Sequence, residues 1–310
     1  MGSNPATPTV TDRRGRWHRA RMREGEGSRT AEYMALFRAL ETLGPPQRRL
    51  FADPLAASFL TAPLAQVVWV ARVPLLRSVV TSLIDRRYPG PRPSAVARTK
   101  VLDDAVTAAV AGGVEQLVVL GAGYDSRAYR LPGCAQVQVF EVDHPDTQVV
   151  KQRVLARALG QLPAHVRFVA VDFDHDDLAV ALDRAGFRAG RPTFVLWEGV
   201  ASYLTSEAVD ATVRWAHDAT GEHSELAFTY VHRGLIEGTV AFPHAEGWVH
   251  SVAAAGEPFV FGFDPAELPA YLAERGWAQL EDISTTEALT RHGRDPRGVP
   301  AFYRIARARH

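Results

Sequence analysis

Five short runs of apolar and β-branched residues punctuate the middle of the chain: LVVL (117–120), VQVFEV (137–142), VRFVAV (166–171), TFVLW (193–197) and LAFTYV (226–231). Helix-period segments at 145–159, 176–185 and 205–219 separate most of them. Buried strands that alternate with helices form βαβ units, and these assemble into a mostly parallel sheet. Segment 145–159 is punctuated accordingly, with Pro145 suited to a first helical position and Gly160 just past the end. A helix expected at 264–275 precedes two more strand candidates, near 279–284 and 301–306, giving seven strands in all.

Before the first strand the pattern is helical. TAEYMALFRALETL, from Thr30, puts Met34, Phe37, Leu40 and Leu43 roughly on one face, and Gly44-Pro45-Pro46 ends it. Phe51 to Arg87 reads as further helix, broken near Pro63 and Pro74. Ser94 is expected to cap a helix to about Val110, closed by Gly112-Gly113. Residues 1–27 are polar and Arg-rich, a composition expected of a flexible arm. Residues 28–310 then form one domain, with a helical cap over 28–93 and an insertion over 232–262. That insertion, rich in Gly, His and aromatics, breaks the alternation and is expected to lie over the site.

Composition narrows the partners. Net charge is zero, 35 basic against 35 acidic residues, so no global field favours nucleic acid or an anionic membrane. Neither is expected as a partner. Cys134 is the only cysteine, which excludes an intrachain disulfide and a cysteine-based zinc site and fits a reducing cytoplasm. The first residues lack the apolar core of a secretory signal. LAQVVWVARVPLL (64–76), the most apolar stretch, is interrupted by Arg72 and Pro74 and is too short to span a bilayer. A cytoplasmic location is expected.

The first strand ends in VVLGAGYDSRAYRL (118–131), where Gly121, Ala122 and Gly123 strip the backbone of bulk. In an open α/β sheet, ligands sit beyond the carboxyl ends of the strands, where strand order reverses. The second strand ends FEVDHP, placing Glu141 and Asp143 there, about twenty residues after the glycines; a carboxylate at that point accepts from two ribose hydroxyls. The third ends VDFDHDD, placing Asp172 within reach of an adenine amino group. Glycine, acid and acid on adjacent strand ends describe an adenosine site. A nicotinamide cofactor wants a third glycine where this chain has Ser126. S-adenosylmethionine has no phosphate, and Glu198, ending the fourth strand in WEGVASYL, suits its ammonium. That favours S-adenosylmethionine.

These residues resemble the leucine carboxyl methyltransferase family, in its bacterial S-adenosylmethionine-dependent O-methyltransferase branch. The resemblance rests on RTAEYMALFRALE (29–41), FADPLAASFL (51–60), ARTKVLDDAV (97–106), LGAGYDSRAYRL (120–131), FEVDHPDTQVVKQRVL (140–155), VDFD (171–174), WEGVASYLT (197–205) and FGFDPAELPAYLAERGW (261–277). Tyr124-Asp125-Ser126 departs from the family's usual Leu-Asp-Thr. The resemblance implies a class I methyltransferase-like Rossmann fold. It also implies Arg98 on the cofactor carboxylate, Gly121 on the methionine tail, Asp143 on the ribose, Asp172 and the Phe173 backbone on the adenine, and Glu198 on the amino group. Arg29 is the candidate for the family's further amino-terminal basic contact.

Arg98 in a surface ion pair and Glu198 as a helix cap are the ordinary alternatives. Asp172-Phe173-Asp174-His175-Asp176 imitates a calcium loop, but Asp177 stands where glycine is required, and no metal is expected. His232 follows the fifth strand, yet no histidine is evidently placed as a base. A carboxylate acceptor is ionised at neutral pH and needs none, whereas a phenol would benefit from one. Tyr203 and Arg127 are the candidates for orienting the acceptor. The expected activity is O-methylation of a carboxylate, or a hydroxyl, on a small natural-product acid. A protein or peptide carboxyl methyltransferase, a nicotinamide-dependent oxidoreductase and a binding-only module remain alternatives.

Overall fold

The structure, a computed structural model, describes residues 29–172, 176–254 and 256–310. The arm expected over 1–27 and the adenine contact expected at Phe173 lie outside the described residues. Helices α1 (Arg29–Thr42), α2 (Ala62–Val70), α3 (Pro74–Arg87) and α4 (Pro91–Ala111) precede the first strand. Then come β1 (Gln116–Leu120), α5 (Arg127–Arg130), β2 (Gln138–Asp143), α6 (Pro145–Leu159), β3 (Val166–Ala170), α7 (Leu178–Arg184), β4 (Thr193–Trp197) and α8 (Ser206–Asp218). The remainder is β5 (Glu225–His232), α9 (Arg233–Ile236), α10 (Ala245–Ala254), β6 (Gly262–Phe263), α11 (Leu268–Ala273), β7 (Ala278–Ser284), α12 (Thr285–Arg291) and β8 (Tyr303–Arg309).

The sheet runs β3-β2-β1-β4-β5-β8-β7, parallel through β5, with β8 antiparallel to both of its neighbours. This is the expected Rossmann-like order, with one correction to the strand number. The two-residue β6, which begins at the last residue of the stretch read as an insertion, pairs with β5 off the main path and makes eight. Side chains alternate across β1, so Val118 and Leu120 meet one helical layer and Leu117 and Val119 the other. The first layer is α7, α8 and α11; the second is built mainly from α4 and α12. Burial on both sides explains why these strands read as continuous apolar runs.

Helix ends follow local chemistry. α6 starts at Pro145 and stops at Gly160, as expected. Pro63 and Pro74 open helices instead of breaking one, because the first turn has no hydrogen bond for a proline to lose. For the same reason α4 begins at Pro91, and Ser94 lies inside it, buried, its hydroxyl on Thr285 at 3.0 Å instead of capping. α12 was not expected; a reciprocal box between Ser284 and Glu287 starts it.

Candidate active site

The chain winds outward from β1 through β2 to β3, then returns to β4 on the other side of β1. The crevice beyond the carboxyl ends of β1 and β4 is therefore the reversal point at which such sheets bind ligands. Register fixes what meets there. Val119 pairs with Leu196, so Gly121 and Glu198, each two residues on, stand level; Leu120 pairs with Val142, bringing Asp143 beside Gly121.

The glycines are needed where they stand. Gly121 has φ +64°, and a Cβ on it would clash with Val200 Cγ2. Gly123, at φ +41°, faces Ala31 of α1, which roofs the loop. Ala122 N donates to Val142 O at 2.9 Å, extending the ladder into the loop. Asp143 accepts from Gly123 N on one oxygen and from His144 N at 2.7 Å on the other, so the acid locks the loop and the next turn together. Asp172 lies two residues past β3 at the same edge, its N–H donating to Asp176 at 2.8 Å.

Glu198 sits between two guanidinium groups. Its Oε1 accepts from Arg98 Nε and its Oε2 from Arg127 Nη1, both at 2.7 Å. Burial pushes this carboxyl up, but Arg127 and then Arg98 outweigh it, and the group is held below the usual carboxylate range. Arg98 also points Nη2 at Met34 Sδ (2.9 Å) and stacks over the Tyr303 ring at 5.0 Å. Its Nη1 makes no hydrogen bond among the described residues.

Arg127 is placed differently from the acceptor-orienting role expected of it. Its side chain is 3% exposed, with Nε on Asp103 at 2.8 Å and Nη1 shared between Asp125 and Glu198. Burial and these three carboxylates hold it as a strut beneath Glu198. Arg130 grips Asp103 bidentately at 2.7 Å, and its Nε reaches Ser126 at 3.0 Å. Ser126 donates to Asp53, which Arg38 also holds at 2.8 Å. Four arginines and four carboxylates thus balance under the loop (Arg38, Arg98, Arg127, Arg130; Asp53, Asp103, Asp125, Glu198). Burial opposes ionisation of Asp125, yet Arg127 and Lys151 bring it down to about 2.

A second buried pair underlies the loop. Lys151 Nζ is 2.8 Å from Glu141 Oε2 and 3.4 Å from Ala122 O. Glu141 and Asp143 share a face of β2, but Glu141 lies one step deeper and is buried. Burial raises it to about 7, and Lys151 offsets part of that rise.

Tyr203 lies in a short turn of 3₁₀ helix after β4, stacked on Phe259 at 5.6 Å. Burial holds its phenol protonated, with Tyr303 and Glu257 adding to the effect and Arg98 opposing it. Thr30 of α1 donates to Glu257 at 2.5 Å, so helix and insertion meet beside this group. Tyr303 and Glu257 escaped the sequence reading; Tyr303 arrives only through the pairing of β8 with β5, opposite Val231. Arg29 begins α1, exposed. His232 caps α9, its Nδ1 accepting from Gly234 N at 3.0 Å, and burial lowers its pKa. A pyrophosphate has no seat at the helix after the loop: α5 is four residues long, and Asp125 already accepts from its first N–H.

The model of the family described as leucine carboxyl methyltransferase matches residues 31–217, more than half of the chain. The chain belongs to the leucine carboxyl methyltransferase family. Relatives include a protein of Frankia alni, 33% identical over 86% of each chain, and one of Parafrankia sp., 32% identical over 92% of this chain and 88% of that one. A relative from Mycobacterium sp. strain JLS is 36% identical over 64% of this chain, which spans 65% of its length. All three are provisionally named S-adenosyl-L-methionine-dependent methyltransferases, in agreement with the cofactor expected for this family member. Among solved structures, a DUF574 family protein from Streptomyces avermitilis aligns with TM-score 0.57 at 18% identity, covering 92% of this chain and 98% of that one. A provisionally named methyltransferase from Thermobifida fusca aligns at 0.52, also 18% identical, over 87% and 96%. Both share the fold.

Proposed function

We propose that this family member is an S-adenosylmethionine-dependent O-methyltransferase that esterifies the carboxylate of a small acid. The observation that carries the reading is Glu198, ionised between Arg98 and Arg127, level with Gly121 and one strand from Asp143. The donor set fits the cofactor: Arg98 Nη1 for its carboxylate, Glu198 for its ammonium, the Gly121–Gly123 backbone for its tail, and Asp143 for its ribose. Each Asp143 oxygen already accepts one N–H and has a lone pair left for a hydroxyl. Asp172 and Phe173 complete the proposal on the adenine side.

The cofactor supplies an electrophilic methyl, and the protein supplies alignment. A carboxylate arrives ionised and asks for no base, which suits a site where His144 and His232 are each engaged as helix caps. Tyr203, kept neutral by burial, is the donor proposed to orient the acceptor's second oxygen. Arg127 positions Glu198 and touches neither reactant.

Purified protein with cofactor and a panel of small aromatic and polyketide-like acids is expected to yield methyl ester and S-adenosylhomocysteine in equal amounts by mass spectrometry. Methyl ether formed in place of ester would move the proposal to a hydroxyl acceptor, and no turnover of any acid or phenol would sink it. Asp143→Ala is expected to weaken S-adenosylhomocysteine binding by about 1.5–3 kcal/mol, the scale of a hydrogen bond to a charged group. Calorimetry checks this, and an unchanged Kd would remove Asp143 from the ribose.

A further inference from the structure

Helix α2 turns Val68 inward, and α3 turns Val80 and Ile84 inward, onto a cluster containing Leu36 and Leu40 of α1. None of α3 is fully buried, and its opposite side shows Leu75, Leu76, Val79 and Leu83, which are 76%, 42%, 58% and 66% exposed. At 3.6 residues per turn these four fall within one sector about 100° wide. Trp69, 68% exposed, with Val70 and Val73, extends the exposed apolar residues into α2 and the α2–α3 turn. Scattered exposed apolar residues need no explanation, but seven within one helical hairpin do.

The rim of this face is basic. Between Thr61 and Ile84 the charged residues are Arg72 and Arg77, and Arg86 and Arg87 follow. Asp85, the one acid nearby, is already bound bidentately by Arg92. Arg72, Arg86 and Arg87 are exposed, and among the described residues none pairs with a carboxylate. Arg87 lies 4.8 Å over the ring of Tyr88, itself 47% exposed.

We propose that the α2–α3 face seats on an anionic lipid surface. Exposed apolar side chains that include a tryptophan, with arginines beside them, are what the boundary between headgroups and acyl chains accommodates. A second copy of the chain fits the charges less well, because the hairpin's one acid is occupied and a self-pairing face would offer its arginines no carboxylate. No helix among the described residues is long and apolar enough to cross a membrane, and a seat in the plane needs none. The expectation of no membrane partner rested on the missing span and on zero net charge, neither of which speaks to a local patch. The seat also has a geometric consequence. α1 lies between the face and the glycine loop, its Leu36 and Leu40 towards the hairpin and its Ala31 and Met34 towards Gly123 and Arg98. Docking therefore brings the candidate site close to the bilayer, where lipophilic acids partition. The seat itself does not depend on the methyl-transfer reading.

Vesicles of phosphatidylcholine with phosphatidylglycerol, in a ratio of about 7:3, provide the test. The full chain is expected to co-sediment with them and to bind pure phosphatidylcholine far more weakly. The L75S/L83S double variant keeps every arginine, including those of the amino-terminal residues, and is expected to bind at least about tenfold more weakly than the parent. Both positions are exposed, so circular dichroism should match the parent. As an independent readout, brominated phosphatidylcholine in the mixed vesicles should quench the parent's fluorescence, and W69F should lose most of that quenching. Equal binding of parent and L75S/L83S would overturn the proposal, as would failure of the parent to bind. A dimer by light scattering that L75S/L83S converts to monomer would assign the face to a second copy and overturn it equally.

Discussion

Glu198→Gln is expected to reduce affinity for S-adenosylhomocysteine by about 2–5 kcal/mol, the cost of truncating one partner of a desolvated charge pair. The amide keeps the shape but removes the negative charge that faces Arg98 and Arg127. Arg127 retains Asp103 and Asp125, whereas Arg98 loses its only carboxylate partner among the described residues, so the damage concentrates where the cofactor's amino-acid end is proposed to lie. Calorimetry with S-adenosylhomocysteine and a urea melt separate lost binding from lost folding. The pH profile of the parent gives a second check. A carboxyl held below its ordinary range stays charged as pH falls, so this contribution to affinity should persist from pH 8 to about 5. Affinity that fell away through pH 6 would place the ammonium on another group.

Lys151→Met is the substitution expected to cost most in stability, about 3–5 kcal/mol, because it leaves a buried carboxylate without its cation. The E141Q/K151M double variant should recover most of that loss, since no charge is then stranded. The sign with pH follows from Glu141, raised to about 7 by burial despite Lys151, against about 4.3 in an unfolded chain. The folded state binds this proton more tightly, so the group's contribution to stability falls as pH rises between those values. Without Lys151 the window extends upward, and the penalty should be larger at pH 9 than at pH 6. Urea melts of the single variant at both pH values check it; a penalty independent of pH, or one the second substitution leaves in place, would mean that Glu141 is not the stranded group. Lys151 is one of two lysines in a chain otherwise charged through arginine. Its compact ammonium lies between Glu141 and Ala122 O, where a point charge, not a planar fork, meets both oxygens.

Much of the fold was legible because short apolar strands and helix punctuation are local signals. Pro145 and Gly160 bound α6 as read, and the strand-end residues Gly121, Asp143 and Glu198 converge because parallel register carries them to one edge. The sequence misled where a residue's partner is distant. Ser94 looks like a cap until Thr285 is found beside it, 191 positions away. Arg127 follows the glycine loop and so suggests an acceptor contact, but Asp103, on α4, turns it inward. Tyr303 could not be chosen from its surroundings in the chain, since β8 reaches the site only by pairing with β5. The Ser284–Glu287 box is written in the sequence, but the seven-residue helix it starts is too short to show a hydrophobic period.

The placement of β8 has consequences for assembly. Among the described residues β7 joins the sheet only through β8, which is made after it, so β5 and β7 cannot be bridged in the order of synthesis. While residues 303–309 are still being added, the outer edge of β5 carries unsatisfied backbone groups next to the emerging crevice. Pairs as remote as Glu225 with Arg309 close late, and such non-local closure slows the maturation of a newly made molecule.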